Sequence, residues 1–185
     1  PDLAARTQHP GSHFIYERRG GKMPRKPPMP VVQEVTHGDR LEISNWRLEV
    51  AEVAHVQPQL TCLAYRVETA AGEVIVFGGD SAPTQHLTTL ARDADVLLHM
   101  CHFVNGVIDD ERLTSCCSGH LDAATTARDA GAKTLVLVHL TEMMETPGIR
   151  ERLLAEVAGV FSGQVIFAQD LLEIPLGAIT TEQIR

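Results

Sequence analysis

The stretch LDAATTARDAGAKTLVLVH, residues 121–139, decides the fold class of this chain. Leu121–Ala130 is rich in alanine, the strongest helix former, and Gly131 stands where helices often end. Thr134–Val138 is a continuous apolar run of strand length, which is typical of a strand buried on both faces of a sheet. A helix that leads into such a strand indicates an α/β protein in which helices cover a sheet.

Strand-like patterns precede this stretch, and further helices and strands surround it. Alternating apolar and polar residues predict four strands, at Arg40–Ile43, Arg47–Val56, Leu63–Val67 and Glu73–Phe77. A turn at Thr69–Gly72 would join the last two strands as a hairpin. Beyond them we expect a helix from Pro83 to about Asp93, a strand at Val96–His99, a loop at residues 103–118, a helix at Gly148–Val157 and closing strands at Gln164–Phe167 and Leu171–Ile174. Strand pairs followed by alternating helices and strands indicate an α/β sandwich.

The first 30 residues lack such a pattern. Six prolines and three glycines interrupt them, so we expect residues 1–30 to be an irregular segment and residues 31–185 to belong to the folded domain. Basic residues are dense between Arg18 and Lys26. The prolines and glycines among them favour a solvated loop over a nucleic-acid-binding arm.

The composition narrows the class of protein. Hydrophobic residues make up 44% and charged residues 22% of the 185 residues, which is ordinary for a soluble globular protein. The formal charge of −8 argues against non-specific attraction to phosphate backbones, so we do not expect nucleic acid as a partner. No apolar run reaches the roughly 18 residues that a membrane span needs. The four cysteines contain no CxxC pair, so reduced thiols and a cytoplasmic location are expected.

Three side chains that can bind metals follow predicted strands. His55 lies near the end of the second strand, Asp80 follows the fourth across two glycines, and His139 directly follows the buried strand of the opening stretch. Strand ends hold ligands rigidly while facing a cleft. Imidazole and carboxylate together suit Zn²⁺, Mn²⁺ or Fe²⁺, and a carboxylate can bridge two such ions.

Each of these residues also has an ordinary structural role that the sequence leaves open. A histidine at a strand end is more often a hydrogen-bonded structural residue, and Asp80 with Ser81 suits a turn or a helix N-cap. Adjacent Cys116 and Cys117 suggest a thiol or zinc site, but without a second cysteine pair we do not expect structural zinc. The chain has no Gly-x-Ser-x-Gly motif and no nucleotide-binding glycine pattern, so a serine hydrolase or nucleotide-binding enzyme is not expected.

The order and spacing of these residues along the chain indicate a protein family more specifically than any one of them does alone. His55, the turn Gly78-Gly79-Asp80-Ser81, Gly119-His120 and the segment ending at His139 resemble the second half of ribonuclease Z-like metallo-β-lactamase-fold hydrolases, over about residues 47–175. The resemblance implies a metallo-β-lactamase αββα sandwich, of which this chain carries mainly the C-terminal half.

The resemblance also implies a role for each residue. His55 would bind one of two divalent metal ions, His139 would bind the other, and Asp80 would bridge them. Zinc suits these ligands best, with manganese or iron as alternatives. His120 would lie beside the metals and donate a proton or stabilise charge on the substrate. The implied activity is hydrolysis of an ester-type bond by a hydroxide that two metals activate.

Two departures from the family pattern refine this expectation. The His-x-His-x-Asp-His motif, which in the family lies N-terminal to everything matched here, is absent from the 185 residues. The chain is then either a C-terminal part of a longer protein or a degenerate homologue. We expect the C-terminal part, inactive by itself. Met100 stands where ribonuclease Z has the glutamate of a His-Glu-Ala-Thr-like segment, so tRNA processing is not expected. The expected substrate is a small molecule with a phosphodiester, lactone or sulfate ester bond.

A function of a different class stays open. The chain could be a non-catalytic metallo-β-lactamase-like domain that binds a partner. For the chain as a fragment, the face left by the absent half would be apolar, so a homodimer is expected. Bound divalent metal would favour the hydrolase.

Overall fold

The structure is a computed structural model, and it describes residues 2–26, 31–108 and 110–176. The chain divides into two compact units, Pro1–Glu34 and Val35–Arg185. This boundary lies close to the one expected at residue 31.

The first unit contains two helices, α1 at Asp2–Gln8 and α2 at Pro10–Arg18. The expectation of an irregular segment was therefore wrong over these residues, while residues 27–30 lie outside the described residues. Pro10 occupies the first turn of α2, where a backbone N–H has no hydrogen-bond partner within the helix. The N–H that proline lacks is therefore not missed, and Pro10 begins a helix instead of breaking one. His9 caps this helix, because its ring Nδ1 accepts a hydrogen bond from the backbone N–H of Gly11 at 3.1 Å.

The second unit is built on one seven-stranded sheet whose strands lie side by side in chain order. The strands are β1 at Arg40–Ile43, β2 at Trp46–Val53, β3 at Cys62–Glu68, β4 at Val74–Phe77, β5 at Val96–Met100, β6 at Thr134–Val138 and β7 at Gln164–Phe167. Neighbours are antiparallel from β1 to β4 and parallel from β4 to β7. Both β2 and β4 are antiparallel to β3, so β2 runs in the same direction as β4, β5 and β6. The C-terminal ends of these four strands therefore lie along one edge of the sheet.

Helices connect and cover the later strands. They are α3 at Gln85–Leu90, the short α4 at Glu111–Thr114, α5 at His120–Ala130, a 3-10 helix at Glu142–Glu145 and α6 at Ile149–Ala158. The predicted helix from Pro83 begins later because Thr84 is its N-cap, with Oγ1 accepting from the Leu87 N–H at 3.1 Å. Within the described ranges, no helix is both long and apolar enough to cross a membrane.

The predicted α/β class and seven of the eight predicted strands are confirmed. The strand expected at Leu171–Ile174 was wrong. Leu171 has a φ of 64° and a fully exposed side chain, and such a backbone conformation cannot continue a strand.

The core lies where α5 packs on β5 and β6. Leu97 and Leu135 are register partners on these strands, and both are fully buried in one cluster with Ala123 and Ala127 of α5. Alanine side chains are short, so the helix approaches the sheet closely and the leucines fill the space between them. The alanine-rich sequence of the opening stretch thus sets the distance between helix and sheet.

Replacing Leu135 by alanine tests this core. The side chain is 0% exposed, so its loss leaves a cavity, and we expect the free energy of unfolding to fall by about 2–5 kcal/mol in urea denaturation. Leu154→Ala, on α6 at 39% exposure, is the matched control and should cost less than about 1 kcal/mol. Equal losses in the two variants would contradict this description of the core.

Candidate metal centre

The sheet brings the predicted metal ligands to one edge. His55 follows β2, Asp80 follows β4 and His139 follows β6, and these strands all end on the same side. Gly79 shapes the turn before Asp80, because its φ is 64° and a Cβ there would stand 3.1 Å from the backbone oxygen of Leu63. His139 itself has a φ of 58°, which is uncommon for a residue with a side chain.

Asp80 and His139 are neighbours at this edge. The Oδ2 atom of Asp80 lies 3.6 Å from Nε2 of His139, and the two side chains are 51% and 41% exposed. A carboxylate and an imidazole that meet while open to solvent are accessible to an ion. Their donor atoms are of the type that Zn²⁺, Mn²⁺ and Fe²⁺ bind, so the pair fits a divalent cation.

A third histidine, His102, belongs to the same group. Its Nδ1 lies 3.1 Å from Nδ1 of His139, and the rings meet edge to face with centroids 4.9 Å apart. His102 was not among the predicted ligands. Its position is nevertheless informative, because it closely follows β5, the strand between those that precede Asp80 and His139.

His55 is held by a different part of the chain. Its ring Nδ1 lies 2.6 Å from the carbonyl oxygen of Cys116, which can only accept, so Nδ1 carries the proton and Nε2 keeps its lone pair. Metal-binding histidines usually donate their second ring N–H to such an oxygen.

The three predicted ligands do not meet at a single point. Among the described residues, the one group of three side chains whose ligand atoms all lie within 4.8 Å of one another is His55, Cys116 and Cys117. Asp80 and His139 form a separate close pair. This division is compatible with two ions, since each histidine would then bind its own ion.

Burial and the neighbouring imidazoles favour the neutral form of His102. Burial lowers the pKa of His102, the nearby His139 and His55 lower it further, and the Asp80 carboxylate opposes them. Neutral imidazole is the form that binds metals. Burial, together with Cys116 and Asp80, raises the pKa of the Cys117 thiol to about 12, so this thiol stays protonated at neutral pH unless a cation binds it.

His120 is fully buried at the first position of α5. Its Nδ1 accepts from the backbone N–H of Asn105 at 3.3 Å, and its Nε2 lies 2.6 Å from Oε2 of Glu156. The hydrogen bonds of His120 therefore lead to the loop before α4 and to α6, and they do not join it to Asp80 or His139. Glu156 and Asn105 were not predicted, because their contacts with His120 depend on how distant segments pack. Proton donation by His120 stays a prediction.

Comparison with known proteins starts from the sequence. No family model matches the chain. Ribonuclease Z of Mycobacterium tuberculosis (strain ATCC 25618 / H37Rv) is 33% identical over 150 residues, which are 78% of this chain and 54% of that protein. Ribonuclease Z of Bacillus velezensis is 30% identical over 150 residues, 80% of this chain and 44% of that protein. The chain thus spans about half the length of these curated relatives.

Solved structures agree with these relatives. The metallo-beta-lactamase fold protein YhfI from Bacillus subtilis is 27% identical, with a TM-score of 0.61 over 73% of this chain and 52% of that chain. The chain belongs to the ribonuclease Z-like metallo-β-lactamase-fold superfamily. Human tRNase Z, short form, is 19% identical, with a TM-score of 0.55 over 75% of this chain and 46% of that chain. This similarity supports the fold alone. The expected fold is confirmed.

The family corrects the expectation about partners. We expected a small-molecule substrate and no nucleic acid, but the relatives that share most of this chain are ribonucleases Z, so this expectation was wrong. The net charge misled because it averages over the whole chain, whereas substrate binding depends on local groups. The chain also spans about half of each relative, so residues that hold a substrate need not lie on it.

Two substitutions should move the pKa of His102 in opposite directions. In metal-free protein, His139→Ala removes a neighbouring imidazole whose charge lowers this pKa, so the pKa should rise. Asp80→Asn removes the carboxylate that raises it, so the pKa should fall. NMR titration of the ring protons measures both shifts.

A histidine outside this group provides the control. His86 stacks on His37 with ring centroids 4.5 Å apart, and His86→Ala should leave the pKa of His102 unchanged. Shifts of the same sign in His139→Ala and Asp80→Asn would contradict the arrangement described above.

Proposed function

We propose that this chain supplies part of the active site of a metal-dependent phosphodiesterase that cleaves RNA. The observation that carries the proposal is the exposed pair of Asp80 and His139, 3.6 Å apart at the edge where β2, β4, β5, β6 and β7 end, with His102 beside it. Membership in the ribonuclease Z-like family supports the choice of RNA.

The described residues suggest how the site would be divided. His55 would hold one divalent ion through Nε2, His139 would hold a second, and Asp80 would be shared by both. Zinc is proposed first for these nitrogen and oxygen donors, and manganese or iron would also fit. When bound, such ions supply a hydroxide near neutral pH and neutralise charge on the phosphate. These three side chains are too few ligands for two ions, so the remaining ligands would come from residues outside this chain.

The protein side chains would orient the ligands and manage protons. The Cys116 carbonyl keeps the proton of His55 on Nδ1, so that Nε2 stays available. His102, neutral because its pKa is lowered, would hydrogen-bond His139 and orient its ring. Glu156 would hold a proton on Nε2 of His120, and this bond must open before His120 can protonate a leaving oxygen.

Replacing Asp80 by alanine tests the metal ligands. We expect Asp80→Ala to lose Mn²⁺ binding, because both ions share this carboxylate, and to lose hydrolysis of bis(p-nitrophenyl) phosphate and of a tRNA transcript by at least about 100-fold. Mn²⁺ content is measured by elemental analysis, and both measurements use the whole protein in which this chain occurs.

Asp129→Ala is the matched control, since Asp129 lies on α5 with 48% of its side chain exposed, close to the 51% of Asp80. It should keep both Mn²⁺ binding and activity. Wild-type protein that binds no Mn²⁺ and cleaves neither substrate would favour the non-catalytic binding domain instead.

The role of His120 can be separated from a structural one by the leaving group. If His120 protonates the leaving oxygen, His120→Ala should slow RNA cleavage by about 100-fold or more, because an alkoxide leaves poorly without a proton. Bis(p-nitrophenyl) phosphate releases a stable phenolate and should be affected far less. Equal slowing of both substrates would assign His120 to structural support of α5 through Glu156.

A further inference from the structure

We propose that His55, Cys116 and Cys117 form a binding site for a thiophilic divalent cation such as Zn²⁺ or Cd²⁺. The site would have three protein ligands and an open fourth position. It shares His55 with the hydrolytic centre proposed above but requires neither Asp80 nor His139. Because Nε2 can bind one ion only, the two uses of this ring are alternatives, and a cation held by the thiolates would withdraw His55 from the hydrolytic centre.

The two sulfur atoms are already spaced as a metal site requires. Sγ of Cys116 lies 3.6 Å from Sγ of Cys117. A tetrahedral zinc with Zn–S bonds of about 2.3 Å places two sulfurs about 3.8 Å apart. The turn between α4 and α5 puts the side chains of these adjacent residues on the same side. Little rearrangement is then needed for both sulfurs to bind one cation.

The imidazole completes the set from a distant segment. Ligand atoms of His55, Cys116 and Cys117 all lie within 4.8 Å of one another. Nδ1 of His55 is held 2.6 Å from the carbonyl oxygen of Cys116, so one residue both orients the ring and offers a thiol. The free nitrogen, Nε2, is the one available to the cation.

The chemistry of the donors selects the class of cation. Two thiolates and an imidazole suit soft or borderline ions, whereas Mg²⁺ and Ca²⁺ require oxygen ligands. The cysteines are available, since all four cysteines of the chain, each within the described residues, are free. Binding would release the thiol protons, and the two negative sulfurs would balance the charge of the cation. The adjacent cysteines alone did not predict this site, because the third ligand is 61 residues away.

Cobalt spectroscopy tests the site directly. Co²⁺ added to the reduced chain should produce strong thiolate-to-cobalt absorption in the near ultraviolet and the visible bands of tetrahedral cobalt. Cys116→Ser and Cys117→Ser should each lose about half of the thiolate absorption, because each removes one of two Co–S bonds, and the double variant should lose all of it. Cys62→Ser is the matched control and should keep the wild-type spectrum.

Two further measurements guard against misinterpretation. Cys117 is buried, so folding of each variant is checked by circular dichroism, and Zn²⁺ should raise the melting temperature of wild type and Cys62→Ser but not of the double variant. Asp80→Ala should keep the thiolate absorption, which separates this site from the hydrolytic centre. Wild-type protein without thiolate absorption, or a double variant that retains it, would overturn the proposal.

Discussion

Parallel pairing of β4, β5 and β6 in a fixed register is the constraint on which the candidate site depends. Phe77, the last residue of β4, pairs with Leu98, and Leu98 pairs with Val136. The strands β5 and β6 end together two residues further on, where Met100 pairs with Val138. Side chains alternate between the two faces of a strand, and a slip of one residue in β6 would therefore turn its whole side-chain pattern over. The alanines of α5 pack on this ladder and make such a slip costly, because Leu135 and Leu137 would leave the core. The separation of Asp80 and His139 thus has its origin in hydrophobic packing well away from both.

Several polar side chains lie close together at this edge of the sheet. His139 contacts both His102 and Asp80, and burial and neighbouring imidazoles hold the pKa of His102 low. Asp80 also raises the pKa of Cys117, so one carboxylate influences both halves of the site. A divalent cation would stabilise this arrangement by pairing with the carboxylate and with the lone pairs of neutral imidazoles. The carboxylate and the neutral imidazoles at this edge therefore favour the binding of a cation.

Sequence patterns predicted the strands and helices better than the contacts between side chains that are distant in sequence. Strands such as Thr134–Val138 were located because period and composition are local properties, and the candidate ligands at strand ends followed from them. The group of His55 with Cys116 and Cys117 could not be predicted in this way, because residues 103–118 contain the turn, the short α4 and the N-cap Asp110 that aim these thiols. Contacts across such a segment depend on tertiary packing, which periodicity does not describe. The bond between His120 and Glu156 has the same origin, since α5 and α6 must first dock.

The acidic charge of the chain has a different meaning beside the proposed metal centre. Beside His139 lies a cavity of about 640 Å³ that Glu145, Arg150 and Asp170 help to line. Charges beyond about 10 Å are largely screened at moderate ionic strength, so a phosphate at His139 would meet these groups and Asp80, not the average of −8. Without cations this neighbourhood would repel a phosphate, and with two divalent ions bound its sign would reverse. Carboxylates at such an edge favour cation binding, so the acidity that argued against nucleic acid is compatible with an RNA substrate that binds through metal.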